Sequence, residues 1–298
     1  MQDIKLGERA VLMRFSAGLP GESRQDVKVS GEVKREKGLG SDAGKWEKNL
    51  YPKEALAPIK TFINEARMYH DSVTLPFDTG IGILPATLIQ EYGDKMRVTR
   101  EKLEALVEET FLANPQQWID WAIKEHNGTF EPANYPGCTR DANGAVKFDA
   151  SAFQEKMRKK FYLRTEPLPV PNAEHFQDTL CSLLGADAES VNIRVRDAAI
   201  EAQQELMRRI MEPVAHMANT LAKDNPRIFA TLTGNIDAIC KLAPKLNLAG
   251  DAALDSLVKE VEALTRYSTE TLRDSEATRD EARKAAEAML SKLSAYRI

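Results

Sequence analysis

The residues of this chain best suited to chemistry lie between Phe153 and Arg164, where cations stand beside aromatic rings. Residues 151–170 contain five basic and two acidic side chains, a local net charge of +3. Proteins hold single-stranded nucleic acid with cations that bind phosphates and rings that stack on bases. The predicted contacts are Lys156, Arg158, Lys159, Lys160, Phe161, Tyr162 and Arg164. The alternative is a charged helix end whose cations oppose the helix dipole and whose rings belong to the core.

Three further cations, Lys34, Arg35 and Lys37, are predicted to add weakly to this surface because Glu32 and Glu36 interrupt them. The whole chain carries a formal net charge of −4. Domains that coat duplex DNA by bulk charge are usually strongly basic. The sequence therefore favours a local basic surface over general DNA binding.

One motif would suit hydrolysis. Asp78-Thr79-Gly80 matches the acid motif of aspartic proteases, which need two such carboxylates sharing a proton. The chain has a single Asp-Thr-Gly, so a turn closed by the Asp78 side chain is the favoured interpretation. Gly44-Lys45 is followed by Trp46 rather than Ser or Thr, which excludes a Walker phosphate loop. We predict that the protein is not an enzyme, with hydrolysis at Asp78 as the specific alternative.

The histidines and cysteines do not have the spacing of metal ligands, so no metal and no cofactor are predicted. They are His70, His126, His175, His216, Cys138, Cys181 and Cys240. His216 lies in an apolar stretch and is predicted to be a hydrogen-bonded core histidine. The cysteines are predicted to be inert thiols of a reducing compartment. Since no apolar run approaches the roughly 20 residues of a membrane span, a cytoplasmic protein without a membrane partner is expected.

The elements that must position these residues are mostly helices. The pattern predicts a mainly α fold, a multi-helix body with long kinked and coiled-coil-like C-terminal helices and a small β element that pairs about 9–15 with 161–165. A long helix is expected over 86–113, and an apolar loop over 72–85. A coiled-coil seam, predicted to join copies of the chain in a homo-oligomer, consists of Leu254, Leu257, Val261 and Leu264.

The predicted domain order has four parts. Residues 1–50 form a partly extended segment, in which 21–50 are solvated or partner-dependent because they carry five glycines and many charges. Residues 51–126 form a helical domain. The Gly, Pro and Asn content of 127–148 predicts a loop or linker, and 149–298 form a second helical domain that starts with the basic-aromatic stretch.

Several phrases resemble a family of uncharacterised helical proteins encoded by tailed bacteriophages and prophages. They include Leu50-Tyr-Pro-Lys-Glu-Ala-Leu-Ala-Pro-Ile59, Glu65-Ala-Arg-Met-Tyr-His70, Gly82-Ile-Leu-Pro85, Leu168-Pro-Val-Pro171, Val214-Ala-His-Met217 and Leu246-Asn-Leu-Ala-Gly-Asp251. The resemblance spans about residues 10–265. It implies no reaction, but it implies a bacterial host cell and favours a role in DNA metabolism, since such genes lie among replication and recombination genes.

The function expected from these observations is a phage accessory protein of DNA replication or recombination that binds single-stranded nucleic acid as a homo-oligomer. The alternative is a structural or interaction protein, either a helical scaffold or an inhibitor of a host protein. In that case a phage or host protein, and not nucleic acid, is the partner.

Overall fold

The computed structural model describes residues 6–171 and 188–296. In these ranges the fold is mainly α-helical with a small antiparallel sheet, as the sequence predicts. Cys181 and His175, both considered above, lie outside the described residues. Within the same ranges, no helix has both the length and the apolar composition that crossing a membrane requires.

The α-helices are α1 (Leu6–Arg9), α2 (Val27–Glu36), α3 (Lys53–Val73), α4 (Ile89–Thr110), α5 (Gln116–His126), α6 (Ala150–Arg158), α7 (Ala188–Leu221), α8 (Thr231–Leu246), α9 (Ala252–Glu262), α10 (Thr269–Asp274) and α11 (Glu276–Ala295). Short turns of 3-10 helix occupy Ala86–Leu88, Asn127–Thr129, Pro132–Asn134 and Ala263–Arg266. The strands are β1 (Ala10–Gly18), β2 (Ser23–Gln25), β3 (Glu47–Asn49), β4 (Leu75–Asp78), β5 (Ile81–Pro85), β6 (Cys138–Arg140), β7 (Val146–Phe148) and β8 (Tyr162–Leu168).

Strand β1 lies inside the largest sheet, whose order is β4-β5-β1-β8. It runs antiparallel to β5, with Arg14 opposite Ile81. Its other neighbour is β8, so the predicted pairing of residues 9–15 with 161–165 is confirmed. The N-terminal strand therefore depends on a partner from the middle of the chain.

Residues 72–85 are not the apolar loop that was predicted, because β4 and β5 form a hairpin there. Gly80 makes the turn with a φ of 72°, a value that suits glycine. Pro76 lies on the edge strand β4, where its missing N–H costs least. The apolar side chains that this arrangement buries are Leu75, Ile83 and Leu84. Pro76 and Gly80, two of the residues that suggested a loop, thus occupy an edge strand and the turn of this hairpin.

The chain divides into two compact units, each built from separate segments. Among the described residues, the first unit contains 6–15, 69–93, 165–171 and 188–296, and the second contains 16–68 and 94–164. The predicted order of four continuous parts does not follow these units. Residues 127–148, predicted to be a linker, lie inside the second unit.

The predicted oligomer seam is packed within the first unit. Leu254, Val261 and Leu264 are at most 4% exposed, and Leu257 is half-buried. Leu254, Leu257 and Val261 lie on α9 and Leu264 on the 3-10 turn that follows it, and α9 contacts α8 and α11 of the same chain. A side chain already covered by its own chain has little apolar surface left for a partner. Among the described residues, these seam side chains are therefore mostly covered by their own chain, and Leu257 keeps part of its surface exposed.

Among the described residues of the first unit, His70 is a buried histidine, and the prediction of a core position for His216 is wrong. His216 is exposed on α7, although Val214 and Met217 on the same helix are buried. Even in an apolar stretch, one face of a surface helix is exposed to solvent. His216 lies on that face of α7. Nδ1 of His70 lies 2.8 Å from the hydroxyl oxygen of Tyr92.

The core of the second unit is an aromatic cluster around Phe111, which is fully buried. Its ring centroid lies 5.1 Å from that of Tyr51, 5.5 Å from Trp118, 6.0 Å from Phe153 and 5.2 Å from Phe161. Edge-to-face and offset pairs at such distances add about 0.5–1.5 kcal/mol each beyond the area they bury. The cluster anchors α6 and the start of β8 against α4.

Most side chains of residues 21–50 are exposed, as predicted, but a buried ion pair fixes this segment within the second unit. Nζ of Lys48 lies 2.9 Å from the Asp26 carboxylate, and both side chains are at most 5% exposed. The same ammonium donates to the carbonyl of Thr129 over 2.9 Å. The other carboxylate oxygen of Asp26 accepts the N–H of Val29 and so caps α2. The hydrogen bond from Lys48 holds the pKa of Asp26 below its ordinary value.

Candidate nucleic-acid interface

The predicted basic-aromatic residues lie on α6, on the turn that follows it and on the first residues of β8, all in the second unit. The N-cap of α6 is Asp149, whose carboxylate accepts the N–H of Ala152 over 3.0 Å. The exposed members of the predicted set are Lys156, Arg158, Lys159, Lys160, Tyr162 and Arg164. The structure therefore places most of the predicted cations on one surface segment.

Two of these cations already have carboxylate partners. The guanidinium of Arg158 contacts both oxygens of Glu108, at 2.5 and 3.1 Å, and its hydrogen bond lowers the pKa of Glu108. Nζ of Lys159 lies 2.9 Å from the carboxylate of Glu155, one helical turn earlier. A ligand phosphate would have to compete with these carboxylates, so the two cations are less available than the sequence suggested.

Lys156 and Lys160 differ from their neighbours because neither has an ion-pair partner among the described residues. Both are exposed, Lys156 on α6 and Lys160 on the turn after it. Their ammonium groups are therefore hydrated and can exchange water for a phosphate without breaking an internal ion pair.

The two predicted stacking rings have different environments. Phe161 is half-buried against Phe111 and belongs to the core cluster. The ring of Tyr162 is 37% exposed and lies across the backbone of Gly18, where an added Cβ would come within 2.1 Å of it. The guanidinium carbon of Arg164 lies 4.8 Å from the centroid of this ring, a cation–π distance. Tyr162 is the better placed of the two to meet a base.

The predicted cations near the N-terminus lie at the end of α2, in the same unit. Lys34 contacts the carbonyl of Ser41, Arg35 donates to the carbonyl of Gly31, and Lys37 lies 4.0 Å from Glu36. In the described chain no hydrogen bond or ion pair joins these three side chains to α6 or β8. Their contacts are those of a helix C-terminus, where cations offset the dipole.

A hairpin that the sequence analysis missed lies beside α6. Strands β6 and β7 pair antiparallel, with Cys138 opposite Phe148 and Thr139 opposite Lys147. Asp141 closes the turn between them by accepting the N–H groups of Asn143 and Ala145. The signal was present, since an Asn-Gly turn between two short alternating segments is a strong hairpin pattern.

A cleft of about 580 Å³ lies between this hairpin and α6. Its walls are formed by Ala133, Tyr135, Pro136, Gly137, Cys138, Thr139, Lys147, Phe148, Asp149, Ala152 and Lys156. The cleft thus joins Lys156, which the sequence analysis identified, to Lys147, which it did not. Clefts of this volume fit small ligands or single units of a polymer.

Tyr135, which lines the cleft, carries a buried hydroxyl. Tyr135 is 2% exposed, and its hydroxyl oxygen is buried without a hydrogen-bond partner among the described residues. Its ring stacks on Phe130 with centroids 5.3 Å apart and meets Tyr51 edge-on at 6.1 Å. Burial raises the pKa of the Tyr135 hydroxyl, so the group keeps its proton and can donate it.

The acid motif Asp78-Thr79-Gly80 forms the turn between β4 and β5 in the first unit. The Asp78 carboxylate accepts the N–H of Thr79 over 2.7 Å and contacts the guanidinium of Arg194. Within residues 6–171 and 188–296, no three His, Cys, Asp or Glu side chains are placed to hold a metal ion. The contacts of Asp78 are those of a turn cap.

Comparison of the chain with protein-family models, with curated proteins and with solved structures finds no match. Function is therefore inferred from the residues of the second unit and their surroundings.

Proposed function

We propose that the second unit binds single-stranded nucleic acid through the exposed cations of α6 and of the turn that follows it. The observation that carries the proposal is the exposure of Lys156 and Lys160 without a carboxylate partner in the described chain. A lysine that breaks no ion pair on binding contributes fully to the binding free energy. The counterions that it releases from the nucleic acid are not offset by the loss of an ion pair within the protein. The exposed ring of Tyr162 supports stacking beside these cations.

A single strand suits this surface better than a duplex. The chain as a whole is acidic, with a net charge of −4, so the cations form a local feature rather than a broad basic face. Binding to one strand needs a groove or segment of cations with an aromatic side chain, whereas duplex binding depends on many phosphate contacts. The wider role that accompanies this proposal is that of an accessory protein in phage DNA replication or recombination, which the family resemblance implies.

Replacing Lys156 and Lys160 together with glutamine should weaken binding of a labelled thymidine oligonucleotide of about 16 nucleotides, the upper end of the site size for one binding domain. Each lost phosphate contact lowers the slope of log K against log salt by about 0.7 for single strands, so the double variant should lose about 1.4 of this slope. Fluorescence anisotropy between about 50 and 200 mM salt measures both quantities.

Lys284 and Lys292 on α11 provide the matched control. Replacing both with glutamine also removes two positive charges, but from the first unit. Each is paired there, with Asp280 at 3.0 Å and with Glu260 at 2.5 Å. This control should bind with nearly the affinity and salt slope of the unmodified protein. Equal losses in both double variants would reject α6 as the site. If the oligonucleotide does not bind at all at low salt, the class is wrong, and the structural or interaction protein becomes the favoured reading.

A further inference from the structure

Trp46, which directly precedes β3 in the second unit, is exposed although its backbone is fixed. Its N–H donates to Oγ of Ser30 over 2.9 Å, and its carbonyl accepts the N–H of Asp26 over 2.9 Å. Both partners are buried, Ser30 on α2 and Asp26 at its N-cap. Trp46 itself is 54% exposed. The chain therefore presents a large apolar ring to solvent from a backbone that is held in place.

The other two tryptophans differ from Trp46 because their rings have partners. Trp118 stacks on Phe111 with centroids 5.5 Å apart, and its indole N–H donates to the carbonyl of the same residue. Trp121 meets His126 edge-on at 5.8 Å, and both tryptophans are half-buried. In the described chain no aromatic ring and no cation stacks on Trp46. Its ring is therefore available to a ligand.

The ladder that leads to Trp46 is basic in an acidic chain. Residues 23–28 and 45–48 comprise β2, β3 and their continuation, and they contain four basic and two acidic side chains. Lys48 and Asp26 form the buried ion pair described above and neutralise each other. Three basic side chains and one carboxylate remain at the surface of this ladder.

The three remaining cations have no partner for their side chains among the described residues. They are all exposed, and they are Arg24, Lys28 and Lys45. Arg24 lies on β2, Lys45 precedes Trp46, and Lys28 lies in the first turn of α2. The remaining carboxylate, Glu47, accepts the hydroxyl of Ser23 over 2.8 Å. Trp46 thus stands among cations that can bind an anion without breaking an internal ion pair.

This combination fits a single-stranded nucleic acid better than a protein partner. Each nucleotide offers a flat base and an anionic phosphate, and an aromatic side chain can stack on any base. A protein that covered Trp46 would also have to remove water from the cations beside it. That removal costs free energy unless each cation meets a carboxylate. The charge around Trp46 therefore complements a polyanion.

We infer that Trp46 stacks on a base of the bound strand while Arg24, Lys28 and Lys45 bind its phosphates. The inference rests on the proposed function, because it adds a second contact to the strand that α6 binds. The two contacts share no residue, so each can be changed without the other. Stacking and phosphate binding also differ in salt dependence, since only phosphate contacts release counterions.

Trp46→Ala should bind the labelled thymidine oligonucleotide of about 16 nucleotides about 5- to 150-fold more weakly, the range for the loss of one stacked base. Its slope of log K against log salt should equal that of the unmodified protein, because the ring carries no charge. Trp46→Phe keeps an aromatic ring and should recover most of the affinity. The double variant Lys28→Gln/Lys45→Gln should instead lose about 1.4 of the slope. Fluorescence anisotropy across a salt series measures all four proteins.

The emission of Trp46 reports on the ring itself. Stacking on a base should quench the tryptophan emission of the unmodified protein when unlabelled oligonucleotide is added, and should protect it from acrylamide. Trp46→Phe keeps Trp118 and Trp121, so its emission should change little. Met68→Ala is the matched control, since Met68 is 71% exposed on α3 of the same unit. It should bind and quench as the unmodified protein does.

The failures of the two proposals are distinct. If the oligonucleotide binds, tryptophan emission does not change and Trp46→Ala keeps full affinity, the Trp46 inference is overturned and the proposed function stands. A lower salt slope for Trp46→Ala would also overturn stacking. If Trp46→Ala weakens binding but the Lys156 and Lys160 double variant does not, α6 is overturned as the site and Trp46 is supported. If no oligonucleotide binds at low salt, both proposals are overturned, and a protein becomes the favoured partner of Trp46.

Discussion

Replacing Lys48 with methionine is expected to lower the free energy of unfolding by about 3–5 kcal/mol, because the Asp26 carboxylate would remain buried without its cation. Methionine keeps most of the apolar stem of lysine, so little of the loss comes from packing. The pair is at most 5% exposed, and the ammonium also serves the Thr129 carbonyl. Urea denaturation followed by circular dichroism measures the change.

Lys60→Met is the control for this prediction, since Lys60 pairs with Glu22 at a site where both side chains are well exposed. Exposed pairs contribute about 0–1 kcal/mol, so this variant should stay close to the unmodified protein. The double variant Asp26→Asn/Lys48→Met removes both charges while asparagine still caps α2, and it should recover part of the loss. Similar losses in the two lysine variants would show that the buried ion pair contributes no more to stability than the exposed one.

The pH dependence of stability gives a second measurement on the same pair. The pKa of Asp26 is lowered in the folded protein, chiefly by the hydrogen bond from Lys48. A group with a lowered folded pKa contributes stability that is complete above its unfolded pKa of about 3.9 and is lost as the pH falls through the folded value. The difference in stability between the unmodified protein and Asp26→Asn should therefore shrink below about pH 4.

Gly137→Ala should be the second most damaging substitution, with an expected loss of about 2–5 kcal/mol. Gly137 has a φ of 73°, and a Cβ built there would lie 2.3 Å from the backbone oxygen of Asp149. Since the Asp149 N–H donates to the Gly137 carbonyl over 2.9 Å, neither backbone can move without losing that bond. Unfolding in urea measures the loss, and binding of the oligonucleotide should fall with it because Asp149 caps α6, the helix that carries Lys156.

Gly144→Ala separates the two causes. Gly144 lies in the turn of the same hairpin with a φ of 82°, but nothing lies within 4 Å of a Cβ there. The Gly144→Ala variant should lose only about 1–2 kcal/mol of stability, because a residue with a Cβ must adopt the left-handed conformation. It should still bind the oligonucleotide. If both alanine variants lost the same stability, the close approach of Gly137 to Asp149 would not be what holds the hairpin against α6.

Much of the fold was predictable where periodicity and burial agree. The long helix expected over 86–113 corresponds to a 3-10 turn followed by α4, and its predicted apolar face, including Leu88, Met96 and Val107, is buried. The two hairpins that were not predicted were missed for one reason. At 72–85 and 127–148 the glycines, prolines and asparagines were interpreted as loop residues, although they make the turns and edges of short hairpins. Composition cannot distinguish a loop from a hairpin whose strands have three to five residues each.

The candidate site was predictable in its residue types but not in its partners. The cations of α6 follow from local sequence, yet which of them are available depends on carboxylates elsewhere. Glu108, whose carboxylate pairs with the guanidinium of Arg158, lies 50 residues earlier in the chain. Lys147 lies beside α6 only because the β6–β7 hairpin brings it there. Long-range proximity of this kind leaves no trace in composition or spacing.

The place of β1 in its sheet has a consequence for how the protein is made. The strand ends at Gly18, and its neighbour β8 begins at Tyr162, about 140 residues later. At a synthesis rate of about 5–20 residues per second, β8 is synthesised about 7–30 s after β1. During this interval one edge of an apolar strand has unpaired N–H and C=O groups, the kind of edge that pairs with other chains. Newly made chains should therefore be most prone to aggregate, and most in need of a chaperone, before the middle of the sequence has been translated.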